Sequence, residues 1–175
     1  MKAVIIGPGR IGCGLAGQLL QASGYEVVFV GCTQAMVDHL NRLGQYKVRL
    51  VDSASAQGMV VDRLRAIHNN DFSRVAREIS EADLVVTSVG AKNISDVAPL
   101  IAAGLRRRTT PVNVLAFENW GVDSGGTLRS LVSRFLSDYP TELHGFARVV
   151  IDRIVPHRVW DPFGNHPLLF IGDPS

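Results

Sequence analysis

The sequence predicts an α/β fold: a doubly wound, mostly parallel sheet with helices on both faces, and a small antiparallel β excursion after the second helix. Three observations predict it. Short apolar runs rich in β-branched residues alternate along the chain with stretches whose apolar residues recur at three- and four-residue spacing. Most of these runs are apolar throughout, as strands covered on both faces are. The first run opens into a glycine-rich turn and then a helix, the order found where a sheet of this kind meets a phosphate.

That first stretch organises the rest. Ala3-Val4-Ile5-Ile6 is a buried strand, and Ile11, Leu15 and Leu19 recur every four residues as a helix face that Gly24 stops. Between them stands Gly7-Pro8-Gly9-Arg10-Ile11-Gly12, the Gly-x-Gly-x-x-Gly pattern of a Rossmann dinucleotide site. Gly7 allows the tight turn, Gly9 lets a pyrophosphate approach the backbone, and Gly12 lets the helix pack on the strand. The helix N-terminus adds free N–H groups and partial positive charge. Arg10 directs its guanidinium at phosphate. Gly7, Gly9, Arg10, Ile11 and Gly12 are therefore cofactor-binding candidates.

Glu26-Val27-Val28-Phe29-Val30 is the second strand, and Thr33 caps a helix carrying Met36, Val37, Leu40 and Leu43 that Gly44 ends. Enzymes that prefer NAD usually place an acid after this strand to bind the ribose hydroxyls. Here the residues are Gly31-Cys32-Thr33, with no acid to repel a 2′-phosphate and with Thr33 able to donate to one. The cofactor is thus NAD or NADP, with a lean to NADP.

Tyr46 to Asp52 alternates apolar and charged residues, an edge or half-exposed strand, and Met59-Val60-Val61 returns antiparallel after a turn over Ser53 to Gly58. Ala66-Ile67-His68 is a further short strand, and Asp71 caps a helix through Val75 and Ile79. Leu84 to Gly90 is a buried strand whose end places Ser88, Val89 and Gly90 at a pocket edge. Ile94, Val97, Ala98 and Ile101 form the next helix, closed by Gly104. Val112 to Phe117 is another strand, delivering Glu118-Asn119-Trp120. A helix over 127–136 turns Leu128, Leu131, Val132 and Phe135 inward, and Phe146 to Ile151 makes a sixth strand running into Asp152-Arg153-Ile154-Val155-Pro156.

Composition narrows the function classes. Of 175 residues, 46% are hydrophobic and 19% charged, which excludes disordered and collagen-like chains. A net charge of +2 gives no nucleic-acid signal, and Arg106-Arg107-Arg108 is a solvated cluster at a helix end. No apolar run approaches the roughly 18 residues of a membrane span, and no signal-peptide core opens the chain, so a cytoplasmic protein without membrane contact is expected. Cys13 and Cys32 fit a reducing compartment as small packing residues. His157, Asp161 and His166 lack metal-site spacing, no hydrolase nucleophile elbow is present, and an S-adenosylmethionine loop would not need Gly12.

Gly7 to Gly14, Ala82 to Gly90, Phe117-Glu118-Asn119 and Val150 to Pro156, in this order, resemble the N-terminal Rossmann domain of the mannitol-1-phosphate 5-dehydrogenase family, the polyol-specific long-chain (mannitol) dehydrogenases. The resemblance covers nearly the whole chain and implies hydride transfer between a nicotinamide and a sugar phosphate, interconverting fructose 6-phosphate and mannitol 1-phosphate. It also implies that Asn119 holds the reacting oxygen and lies against the cofactor, with Asp152 and Arg153 near the substrate. The family's acid after the second strand falls on Gly31, so its cofactor preference does not carry over. The family's catalytic lysine, with asparagine and histidine companions, lies in a helical C-terminal domain that should begin where this sequence stops, at Pro174-Ser175.

Residues 1–156 are accordingly expected to form the dinucleotide-binding domain and 157–175 a link to that helical domain. Turnover would then need a second polypeptide, a homo-oligomeric neighbour or another base; His144, His157 and His166 have suitable chemistry, and His157 stands directly after the sixth-strand block. Some of Trp120, Val159, Trp160, Phe163, Leu168 and Phe170 should form an exposed apolar cluster or interface. The competing expectation is a non-catalytic NAD(P)-binding sensor or partner-docking module.

Overall fold

The computed structural model describes residues 1–51, 56–118, 123–159 and 169–172. Six strands form the main sheet: β1 (Lys2–Ile6), β2 (Glu26–Gly31), β5 (Leu64–His68), β6 (Leu84–Thr87), β7 (Asn113–Ala116) and β8 (Gly145–Arg148), in the order β5-β2-β1-β6-β7-β8. Every neighbouring pair is parallel. On one face Val4, Ile6, Val28 and Val30 pack with α3 (Phe72–Ser80), α4 (Ile94–Leu105) and α5 (Ser124–Ser133). On the other, Ile5, Val27 and Phe29 pack with α2 (Gln34–Leu43) and with Tyr46, Val155 and Phe170. Both faces are covered, which is why these strands read as unbroken apolar runs. Full burial of each such side chain contributes about 1.5–3 kcal/mol.

The chain leaves β1 for β2 and β5 on one side, then crosses back to β6 on the other. The sheet order therefore reverses between β1 and β6, and a crevice opens at the C-terminal ends of those two strands.

A second, four-stranded sheet has the order β4-β3-β10-β9, from β3 (Tyr46–Val51), β4 (Ala56–Val61), β9 (His157–Val159) and β10 (Leu169–Gly172). The expected antiparallel return of β4 on β3 is present, and β3 alternates buried and exposed residues along its length. It is not an edge strand, however: β10 pairs with it in parallel and β9 closes the far side antiparallel. The excursion is half of a mixed sheet that the last described strands complete.

Three local expectations are corrected. Gly104 does not end α4; the helix runs through it to Leu105, and a Cβ there would strike the Ile79 side chain, so glycine serves close packing of α3 on α4. Helix α5 starts at Ser124 rather than Thr127, because Asp123 caps it by accepting from Gly126 N at 2.9 Å. Phe135 lies past its last turn and is half exposed, whereas Leu128 and Val132 are fully buried. Asp71 caps α3 as expected, accepting from Arg74 N at 3.2 Å, and Gly44 ends α2 in the left-handed conformation, φ 61°.

Candidate dinucleotide site

The glycine turn after β1 is built by contact rather than by flexibility alone. Gly7 has φ 104°, and a Cβ there would lie 2.5 Å from the Ser88 carbonyl oxygen. A Cβ on Gly12 would collide with the Gly7 carbonyl oxygen, to which Ser88 Oγ also donates at 2.7 Å. These two glycines are demanded by the protein itself. Gly9 is not: a Cβ there would meet no atom within 4 Å. The first helical bond beyond it runs from Cys13 N to Gly9 O at 2.9 Å, so the amides of Arg10, Ile11 and Gly12 precede the ladder and have no helical acceptor.

The helix that follows is irregular. Gly12–Gly17 form a π-helical turn that passes into α1 (Gln18–Ala22). Two side chains donate to carbonyls of this turn: Tyr46 Oη to Cys13 O at 2.8 Å and Arg153 Nη1 to Gly14 O at 3.4 Å. Donors inserted there compete with the i→i−4 amides and widen the ladder. Arg153 also donates to Gln18 Oε1 at 2.8 Å and is buried, while Asp152 beside it is exposed.

Beside Gly9 lies a cavity of about 380 Å³. One wall is Gly7, Pro8 and Gly9 with Gly31, Cys32, Thr33 and Met36; another is Ser88 and Val89 with Asn93, Asp96 and Val97 of α4; Asn69 and Arg158 complete it. The second wall is held by Glu118, whose buried carboxylate accepts from Val89 N at 3.0 Å and Gly90 N at 2.8 Å. Asn93 Nδ2 donates to Val89 O at 2.8 Å, and Gly90 takes φ 84°. At the end of β2, a Cβ on Gly31 would lie 3.0 Å from the Pro8 ring, so proline covers the place where an acid would branch.

The structure brings Gly7, Gly9, Thr33, Ser88 and Val89 together around this cavity. Gly12 and Gly90 stand behind its walls, and Ile11 packs against the second-sheet face of the core. Arg10 departs from the expectation: its Nη1 donates to Pro156 O at 3.2 Å, tying the helix start to the segment after β8. Thr33 occupies the cap position of α2 with no side-chain cap bond. Asn119 lies outside the described residues, as do Trp120, Trp160, Phe163, His166 and Leu168. Of the expected apolar cluster, Val159 is 59% exposed but Phe170 is fully buried against Tyr46. His144 is buried at the start of β8, its Nε2 3.2 Å from Tyr139 Oη. Cys13 is a packing residue whose thiol is pushed well up by burial, against a smaller opposing pull from Arg158. Cys32 is not; it is exposed on the cavity wall.

Glu118 stands in the Phe117-Glu118-Asn119 block but carries no role in the sequence reading, and Arg158 is not singled out by it. Glu118 was signalled by the strand end that delivers it. Arg158 has no local signal, since its place depends on the β9–β10 pairing.

The chain matches the mannitol dehydrogenase Rossmann domain over residues 1–167. It is 40% identical over 164 residues to a mannitol-1-phosphate 5-dehydrogenase of Brevibacillus brevis, covering 89% of this chain and 42% of that protein. It is 35% identical over 181 residues to one of Anoxybacillus flavithermus, covering 99% of this chain and 46% of that one. The chain thus spans less than half the length of these relatives. Among solved structures, octopine dehydrogenase bound to NADH and L-arginine superposes with a TM-score of 0.67 at 14% identity, over 100% of this chain and 40% of that one. A ketopantoate reductase from Ralstonia eutropha JMP134 gives 0.58 at 23%, over 97% and 46%. These two likenesses concern the fold. Sequence and architecture agree: the chain belongs to the mannitol dehydrogenase family as its Rossmann domain, with a nicotinamide dinucleotide as the implied cofactor.

Proposed function

We propose that this chain is the dinucleotide-binding half of a mannitol-1-phosphate dehydrogenase-like oxidoreductase, acting on a polyol or sugar phosphate. The observation that carries the reading is the contrast among three glycines. Gly7 and Gly12 are required by neighbouring protein atoms, whereas Gly9 faces open space at the cavity beside amides that precede the helical ladder. A bare backbone with no protein reason to be bare fits a diphosphate that must approach it. When bound, the nicotinamide gives or takes the hydride.

This chain's residues supply the rest of that half. The amides of Arg10, Ile11 and Gly12 receive the diphosphate, and Ser88 and Val89 shape the opposite wall. Asn119, by its match to the family motif, donates its amide to the reacting oxygen and stabilises developing charge there without changing protonation. Asp152, which is exposed, takes the substrate role that the family match gives it, and buried Arg153 acts as a positioning residue for the helix. With Gly31-Cys32-Thr33 in place of an acid, the site leans to NADP. Residues 1–156 carry the dinucleotide unit, β9 and β10 of 157–175 pack on it, and that last stretch leads toward a substrate unit; the general base comes from that unit or from a neighbouring copy. The setting is cytoplasmic; among the described residues no helix is long and apolar enough to cross a membrane.

Gly9→Ala tests the reading. Its Cβ meets no protein atom, so the urea midpoint should stay at the wild-type value. Dinucleotide affinity, followed by NADPH fluorescence, should fall by about tenfold or more as the methyl meets the diphosphate. Unchanged affinity would refute a diphosphate at Gly9.

A further inference from the structure

We propose that Arg158, on β9 of the second sheet, is the residue that recognises the 2′-phosphate of NADP, at the cavity wall formed by Pro8, Cys32 and Thr33. The inference rests on the dinucleotide reading above and deepens it by assigning the cation that the β2 end lacks.

Three observations lead there. First, Arg158 lines the same cavity as Gly9, Gly31, Cys32 and Thr33, although more than a hundred residues separate them in the chain. Second, it arrives from a defined side. Its strand pairs with β10, whose Phe170 packs against Tyr46 on the face of the main sheet that also carries Met36 and Val37 of α2. The end of β2 leads into α2, so the guanidinium enters beside the segment that meets the adenosine ribose in this fold. The proximity is also electrostatic, since the Arg158 charge acts on the Cys13 thiol in the first helical turn.

Third, among the described lining residues the one carboxylate stands on another wall. The acid that would hold the ribose hydroxyls and repel a 2′-phosphate is absent, and Pro8 covers Gly31 where it would branch. The one other charged side chain among the described lining residues, Asp96, comes from the first turn of α4, which packs on the opposite face of the main sheet. Among the described lining residues, Thr33 therefore supplies a hydroxyl at the β2 end, Arg158 is the cation, and the one carboxylate is that of Asp96. A guanidinium offers a planar fork that matches two phosphate oxygens, and Thr33 Oγ1 adds a third donor.

The test uses adenosine fragments, so that only this half of the site is read. Wild-type chain, Arg158→Gln and Arg158→Lys are titrated by calorimetry with 2′,5′-ADP and with 5′-ADP, and each variant's melting temperature is measured. Wild type should bind 2′,5′-ADP at least about tenfold more tightly than 5′-ADP. Arg158→Gln should abolish that preference while leaving 5′-ADP affinity within about twofold, and Arg158→Lys should recover part of it as a point charge. Equal affinities of the wild type for the two fragments would overturn the proposal and leave the dinucleotide reading standing. So would an equal loss on both in Arg158→Gln at unchanged melting temperature, which would place the guanidinium on the diphosphate. Failure of the wild type to bind either fragment would instead count against the dinucleotide site itself.

Discussion

Glu118→Gln isolates what holds the cavity's second wall. Glu118 is 4% exposed, and its two oxygens accept from Val89 N at 3.0 Å and Gly90 N at 2.8 Å, clamping a loop that turns through φ 84° at Gly90. Glutamine keeps the shape but presents an NH2 group where one oxygen stood. One amide then faces a donor, and the remaining bond loses its charge assistance. A hydrogen bond to a charged acceptor contributes roughly 1.5–3 kcal/mol, and a buried N–H left unpaired costs roughly 1–3 kcal/mol. These overlap, so about 2–3 kcal/mol is expected for the change. Where the loop opens locally to water, the cost falls on ligand binding, because the wall must close again around the cofactor. That corresponds to a loss of affinity of roughly thirtyfold to a hundred-and-fiftyfold. Urea denaturation and dinucleotide titration together read both routes. A variant with wild-type midpoint and wild-type affinity would refute the claim that this carboxylate holds the loop.

Other changes separate fold from site. Gly12→Ala drives a methyl into the Gly7 carbonyl oxygen of the turn after β1 and into Ser88 Oγ beyond β6. Because backbone must move, it should cost at least about 2 kcal/mol of stability, read by urea denaturation, in contrast to the silent Gly9→Ala. Stability should fall in two steps on acidification. Burial, helped by the nearby Arg108 charge, holds His144 below the ordinary imidazole value of 6.5. Below pH 6.5 the unfolded chain takes this proton first, so stability declines from there toward the folded value, and His144→Phe should flatten that step in urea midpoints. For Glu78, burial alone would raise the pKa, but hydrogen bonds and charges from Arg65 and Lys2 outweigh it and hold the carboxyl below 4.5. Its contribution is present above pH 4.5 and lost as pH falls further, and Lys2→Met should shrink this lower step.

What could be read from the sequence was what neighbours along the chain decide. Apolar runs, the Asp71 cap and the Gly44 stop rest on residues within a turn of one another, and so does the strand–glycine–helix junction. Gly104 misled because a helix stop and a close helix contact both call for a missing Cβ, and only the position of Ile79 tells them apart. The aim of Arg10 at Pro156 and of Arg153 at Gln18 depends on partners 146 and 135 residues away. Strand β10, four residues long, carries too little pattern to announce that it joins β3.

The long-range contacts also explain why the glycine turn has more glycines than a dinucleotide needs. Gly7 faces Ser88 and Val89, Gly9 faces the cavity, and Gly12 faces the Gly7 carbonyl and Ser88 Oγ. Gly14 and Gly17 face the other way: a Cβ on Gly14 would lie 2.8 Å from Val155, and one on Gly17 would strike the Tyr46 hydroxyl. Those two positions are small because the second sheet presses on the helix, with Tyr46 between Phe29 and Phe170 in edge-to-face contacts at 6.0 and 5.5 Å. Arg153, Tyr46 and Val155 thus grip one side of the π-helical turn, while Gly9 at the start of the helix lines the cavity. The same grip brings β9, and with it Arg158, to the rim of the site. A nucleotide site whose cation comes from the second sheet needs that sheet pressed hard against the helix, and the extra glycines make the approach possible.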